Sequence, residues 1–348
     1  MTTSLRMLTT EKRRQSRAQG FSLVELLVAM SVLLTITGSA LALLGTAEER
    51  LAVEPEAADM QQRLRAGVAM LHHDLALAGA GPAAGLRPGP LPLHMAAILP
   101  YRHDPLDGDP PGTFRDDALT VFYMPRTVAQ STLAAPLPAR AGAARVHNGP
   151  GCGRGNPACG FAVGMAVLVF DGTGAADQFE VTDVQGDTLA LAYEGASSGH
   201  VYEAGSTIAE VVARSYFLER DAAADTIRLM RGRANGGADV PVADHVVGLA
   251  FAYERAGAGG GEPVALPPSS LVDGPWLPSA MSPYRFDADL LAVTSVSVTL
   301  RVQSAIEALR GPGSLLFSQP GTSQAGRRWL PDLEVSFRVR PHNYNPGG

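Results

Sequence analysis

The chain has 348 residues, 46 % apolar and 18 % charged, a balance that supports a sizeable core and excludes wholesale disorder. Its 38 Gly and 26 Pro speak for many turns rather than a helical bundle. The formal charge of −6 conceals an asymmetry: residues 1–20 hold Arg6, Lys12, Arg13, Arg14 and Arg17 against Glu11, so the remainder carries −10 and lacks the basic footprint of a nucleic-acid binder.

From Phe21 to Ala47 the sequence runs FSLVELLVAMSVLLTITGSALALLGTA, 27 residues in which Glu25 is the single charge. A helix rising about 1.5 Å per residue makes this run roughly 40 Å long, enough to cross a hydrocarbon core about 30 Å thick. Basic residues before the run, and Glu48 and Glu49 after it, place the N-terminus in the cytoplasm and everything beyond Ala47 on the outer face. An export signal shares the basic region, the apolar run and small residues such as Gly45 and Ala47. Glu25 separates the two readings. A carboxylate within the run costs about 2.5–3.5 kcal/mol on insertion scales, which serves no purpose in an export signal and implies a specific partner for the charge.

The stretch Gln19-Gly20-Phe21-Ser22-Leu23-Val24-Glu25-Leu26-Leu27-Val28-Ala29-Met30 resembles the type III signal of type IV prepilins. The resemblance implies that a membrane-embedded prepilin peptidase cuts after Gly20 on the cytoplasmic side and methylates Phe21 as the new N-terminal residue. Cutting there leaves the apolar run attached, so the anchor becomes an assembly surface. It also implies a role for Glu25, whose carboxylate neutralises the α-amino group of a neighbouring subunit in a filament core of low dielectric. Major pilins usually break this helix with a proline, whereas here none precedes Pro55. Gly38 and Gly45 loosen the helix instead, by about 1 kcal/mol each relative to Ala.

Past Glu48, Glu49 and Arg50, the residues Leu64, Val68, Leu71 and Leu75 recur at helical spacing and predict an apolar stripe laid on a globular body. Gln61, Arg63, Arg65, His72 and Asp74 fall on the opposite side, with a bend expected at Pro55 and the helix end in Gly79-Ala80-Gly81-Pro82. His72 and His73 point about 100° apart on a helix, so together with Asp74 they read as solvated surface rather than as a metal site.

Beyond Pro82, β-rich runs alternate with turn residues at 118–123, 166–170, 178–184, 188–193, 213–218, 226–230, 246–253, 293–302 and 333–339. Val296, Val298, Leu300 and Val302 alternate with polar residues, the pattern of a half-buried strand. Nothing alternates as βαβ, which disfavours a doubly wound parallel sheet. The Pro- and Gly-rich stretches 82–113, 256–283 and 311–328 read as surface excursions.

Cys152 and Cys159 are the only cysteines, both in a Gly-rich loop. In an oxidising compartment they form a local disulfide; zinc with imported ligands and two free thiols are the alternatives. GPGCGRG at 149–155 lacks the Gly-Lys-Ser/Thr ending of a phosphate loop, and Asp104, Asp107 and Asp109 miss the spacing of a calcium loop. There is no H-E-x-x-H or dinucleotide fingerprint, scattered Ser, His and Asp residues make no triad, and no catalytic residue, metal or cofactor is assigned.

Scattered but ordered phrases, among them Asp117 to Val121, Phe161 to Gly164, Phe179 to Val184, Arg214 to Leu218, Val242 to Tyr253 and Ala292 to Val302, resemble the PilW family of large minor pilins. The resemblance implies an α+β, type IV pilin-like fold, a long N-terminal helix packed on an enlarged antiparallel β-rich domain. The organisation is then a leader over 1–20, a spanning and filament-core helix over 21–47, its amphipathic second half over 48–80, and a periplasmic body over 81–348. The implied role is non-catalytic: priming type IV pilus assembly near the tip. Its partners are other minor pilins, the major pilin, a tip-associated adhesin, prepilin peptidase, the inner-membrane assembly platform and, before assembly, membrane lipid. A large minor pseudopilin of a type II secretion system shares the signal. A membrane-tethered hydrolase or binding protein is the reading from another class.

Overall fold

The computed structural model describes residues 22–82, 91–103, 108–110, 112–127, 129–139, 141–148, 152, 158–193, 199–223, 226–233, 238–257, 261–274, 287–311, 323–324 and 327–344. The chain forms two compact units, residues 1–54 and 55–348. Helix α1 (Leu23–Leu77) contains Pro55, where the second unit begins. In the first unit the side chains from Ser22 to Ala42 are all exposed.

In the second unit, α1 buries Glu56, Met60, Gly67, Leu71, Asp74 and Leu75. Two expectations change here. Leu64 and Val68 are only half-buried, and Asp74, expected on the solvated side, is fully enclosed. The reason is Gly67. A Cβ there would lie 2.7 Å from Leu300 Cδ2 and 3.3 Å from Leu229 Cδ2, so the helix makes its closest approach on the glycine and turns the predicted stripe to one side. At the helix end Gly79 adopts φ +79°, a left-handed conformation suited to glycine, and donates its N–H to the Phe122 carbonyl at 2.9 Å.

A five-stranded sheet has the order β1-β2-β9-β10-β11 and comprises β1 (Ile98–Leu99), β2 (Leu119–Tyr123), β9 (Val212–Asp221), β10 (Thr226–Arg233) and β11 (Val240–Asp244). A four-stranded sheet, β13-β12-β14-β17, comprises β12 (Val246–Arg255), β13 (Val264–Ala265), β14 (Ser295–Val302) and β17 (Leu333–Val339). Leu229 lies in β10 and Leu300 in β14, so α1 packs on both sheets. A short pair joins β15 (Ser323–Gln324) and β16 (Arg327–Arg328). Pairing is antiparallel in all of these sheets, consistent with the missing βαβ pattern.

β2 and β9 are paired neighbours, yet 88 residues, 124–211, separate them in sequence. That insertion carries a separate, six-stranded sheet, β3-β8-β5-β6-β7-β4. Its strands are β3 (Gln130–Thr132), β4 (Ala143–Arg145), β5 (Ala166–Phe170), β6 (Ala176–Gln185), β7 (Thr188–Tyr193) and β8 (Thr207–Glu210). Its outer strands meet: Leu133 bridges Val146, the Ala134 N–H donates to Arg145 O at 2.8 Å, and the His147 N–H donates to Thr132 O at 2.8 Å. The sheet therefore closes into a small barrel, which leaves no free edge. Val167, Val169, Phe179, Val181, Leu189 and Ile208 fill its interior. Leu168 and Phe170 alternate to the other face of β5 and are buried as well, Phe170 against His94 at 5.0 Å between ring centroids.

The segment 82–113 is not a simple surface excursion. Leu91, Ala97 and Ile98 are fully buried within it, and the Ala97 N–H donates to the Tyr344 hydroxyl at 2.9 Å.

Candidate functional site

The described part of the signal begins at Ser22, so Gly20 and Phe21 lie outside the described residues. Ser22 and Glu25 form a reciprocal cap on α1. The Ser22 hydroxyl accepts the Val24 N–H at 3.3 Å, and Glu25 Oε2 accepts the Ser22 N–H at 3.3 Å. This is the capping-box arrangement of a serine followed three residues later by glutamate, and it satisfies two donors that a helix start leaves open.

Leu23–Ala42 is 20 residues with a mean hydropathy of 1.9, long and apolar enough to cross a membrane. Its hydroxyls turn back on the helix: Ser31 donates to Val28 O, Thr35 to Ser31 O, Thr37 to Leu33 O and Ser39 to Thr35 O, all at 2.6–2.8 Å. Each polar side chain of the run other than Glu25 thus hides its donor in the backbone, as an apolar surrounding requires.

In the second unit two carboxylates on α1 fasten the helix to the body. Asp74 accepts a fork from Arg231, Nε to Oδ2 at 2.8 Å and Nη2 to Oδ1 at 3.0 Å. Tyr216 donates to Oδ2 at 2.6 Å and Tyr123 to Oδ1 at 3.4 Å. Burial, reinforced by the Asp74 charge, pushes both phenols above their ordinary value, so they stay protonated donors. Burial pulls the Arg231 guanidinium down, but the Asp74 carboxylate it is hydrogen-bonded to counters this, and the group stands above its usual range. Near the start of the unit, Glu56 accepts the Ala305 N–H at 2.6 Å and lies 3.3 Å from Arg63. Sequence reasoning missed both carboxylates, because a buried acid on a helix looks like a surface acid until its partners from distant strands are known.

Cys152 and Cys159 are joined as a disulfide, with Cα atoms 4.4 Å apart. Cys159 is 1 % exposed and belongs to the barrel core, so the bond ties the loop to the interior. Non-reducing peptide mapping should recover the two cysteines linked. The double substitution Cys152→Ser/Cys159→Ser should lower barrel stability by about 2–3 kcal/mol on the chain-entropy account of so short a loop, read as faster hydrogen exchange in β5–β8. Unchanged exchange there would remove the stapling role.

Asp109 receives the Arg102 N–H at 2.9 Å and lies 3.6 Å from Arg115; Asp104 and Asp107 lie outside the described residues. Asp273, Asp287 and Asp289 come together elsewhere, with one carboxylate oxygen of each within 4.8 Å of the others. Asp287 there accepts the Gly274 and Asp289 N–H groups at 3.1 and 3.0 Å, which makes it the cap of the 3-10 turn Ala288–Ala292. Burial, with Asp273 and Asp289 nearby, raises its carboxyl above the usual range.

The Prokaryotic N-terminal methylation motif matches residues 15–41. Neither the curated proteins nor the solved structures contain a match. The matched stretch includes Gly20, Phe21, Glu25 and nearly all of the exposed apolar helix, and a β-rich globular unit follows it. Together these support a type IV pilin-like protein of the pilin or pseudopilin type, with a single-pass N-terminal anchor and a globular domain.

Proposed function

We propose that this chain is a large minor pilin, most like the PilW family, that primes type IV pilus assembly as a non-catalytic subunit of a tip-associated complex. The observation that carries the reading is the methylation motif continuing into an exposed, apolar helix whose single charge is Glu25 and whose hydroxyls bond back to its own backbone. Such a surface is stable only in lipid or against other helices of its kind. The chain is first a single-pass inner-membrane protein with a periplasmic body, and then part of a filament at the cell surface. Prepilin peptidase cuts between Gly20 and Phe21 and methylates Phe21; the assembly platform, the other minor pilins, the major pilin and a tip adhesin are the remaining partners. The size of the body, with a barrel inserted in its main sheet, favours a specialised subunit over one repeated along the shaft.

Intact mass of the protein from cells with active prepilin peptidase should show loss of residues 1–20 and one added methyl group. Retention of the leader would instead fit a membrane-tethered hydrolase or binding protein. A large minor pseudopilin of a type II secretion system predicts the same mass. Co-purification separates the two, because a minor pilin travels with pilus subunits and a pseudopilin with secretion components.

A further inference from the structure

The chain passes from the five-stranded to the four-stranded sheet through one residue, His245, which lies between Asp244 at the end of β11 and Val246 at the start of β12. It makes this corner at φ +57°, a left-handed conformation that residues other than glycine and asparagine adopt at a cost. Its carbonyl accepts the Gln303 N–H at 3.0 Å, and its Nδ1 lies 3.2 Å from the Thr226 hydroxyl of β10. The corner is therefore tied to β10 and to the segment that follows β14, and the residue is half-buried.

Charges from several elements act on this imidazole. Arg63 and Glu56 come from α1, Arg310 from the segment after β14, and Asp244 from β11. With His245 neutral they balance, two cations against two carboxylates. Both carboxylates are already engaged. Glu56 Oε1 accepts the Ala305 N–H at 2.6 Å and lies 3.3 Å from Arg63, and Asp244 Oδ1 lies 3.1 Å from Arg228 Nε of β10. Arg310 donates to the carbonyls of Ser304 and Ala305 at 2.7 and 3.2 Å. The first turns of α1 in the second unit and segment 303–310 thus meet through Glu56 and Ala305, with an arginine on each element and His245 close enough to feel both.

We propose that this corner is an acid-sensitive latch, in which protonation of His245 adds a further cation and releases α1 residues 56–63 from segment 303–310. The new charge faces Arg63 and Arg310, and the nearby carboxylates are committed elsewhere. The bond from Ala305 to Glu56 fastens the two elements that carry those arginines, so the repulsion is relieved at its expense. Burial lowers the proton affinity of the imidazole, and Arg63 and Arg310 lower it further against the opposing pull of Asp244 and Glu56. In the unfolded chain the ring keeps its ordinary value near 6.5, so the unfolded state binds more protons. Stability is then full above that value and falls as the pH drops below it toward the folded value. The residues released are the first of α1 within the second unit, so the latch sets how much of the helix the body holds. The inference rests on residues 55–348 alone and does not depend on processing at Gly20.

The test uses the full chain in detergent micelles, with histidine ring signals followed by NMR and amide exchange read at Ala305 and residues 56–63. His245 should titrate below about 6.5, and Arg63→Gln should move its midpoint up by removing a cation. Lowering the pH from about 7.5 to about 5 should cost several-fold protection at Ala305 and residues 56–63, measured against the β5 amides of the barrel. His245→Asn keeps the left-handed corner but takes up no proton, so its protection should hold over the same range. A midpoint at or above the ordinary value overturns the proposal. So does an equal loss of protection in His245→Asn, which would assign the acid sensitivity to carboxylates. Should His245→Asn fail to fold, the wild-type chain and Arg63→Gln still decide. One of the eight histidines must then show a lowered midpoint that Arg63→Gln raises and that coincides with the loss at Ala305, and its absence overturns the latch.

Discussion

Asp74→Ala is expected to lower the stability of the second unit by about 3–5 kcal/mol, the range found when one partner of a buried ion pair is removed. Asp74 is 0 % exposed and receives Arg231, Tyr216 and Tyr123 from β10, β9 and β2, so one side chain joins the helix to three strands of one sheet. Alanine leaves the guanidinium half-enclosed without a counter-charge and two phenols without an acceptor. The pair itself need not be stabilising relative to an apolar alternative, so the partner variant is informative. Asp74→Leu/Arg231→Met should recover much of the loss, because it removes both charges and fills the volume. Chemical unfolding of the full chain in detergent measures the two, with hydrogen exchange over residues 55–77 reporting helix docking. A loss under 1 kcal/mol for Asp74→Ala would show that the helix is held by its apolar contacts alone.

That cluster also shows where sequence reasoning reaches its limit. The strands at 166–170, 188–193 and 333–339 have the predicted bounds, because β-branched and aromatic runs between turn residues depend on local chemistry. Half of the predicted helix stripe holds, since Leu71 and Leu75 are fully buried, but Leu64 and Val68 are only half-buried because the deciding contact there is made by a glycine. A residue without a side chain leaves no mark in a hydrophobic pattern. The barrel was illegible for another reason. Its closing strands, Gln130–Thr132 and Ala143–Arg145, are three residues each and carry little β signal; they are held by partners far away in the chain. Segment 82–113 looked like an excursion because of its prolines, yet Leu91, Ala97 and Ile98 bury themselves in the body. In the N-terminal signal, by contrast, the chemistry is local, and there the motif match falls on the residues the sequence singles out.

Glu25→Ala should leave cleavage after Gly20 and membrane insertion intact and reduce recovery in sheared filaments by at least about tenfold, the effect of losing roughly 1.4 kcal/mol at assembly. Insertion itself should become easier, since a carboxylate is removed from the apolar run. The structure adds a complication to this experiment, because Glu25 already has a task within its own chain as the acceptor of the Ser22 N–H at 3.3 Å. Alanine abolishes both that cap and any charge pairing with a neighbouring subunit's α-amino group. Glu25→Gln separates them. Glutamine accepts the same N–H in a capping box but carries no charge. If pairing with the α-amino group of Phe21 on a neighbour is what assembly needs, Glu25→Gln fails as Glu25→Ala does. If Gln assembles normally while Ala does not, the requirement is a well-formed helix start. The ratio of filament to membrane protein by immunoblot decides between them, and normal assembly of both variants would remove Glu25 from assembly altogether.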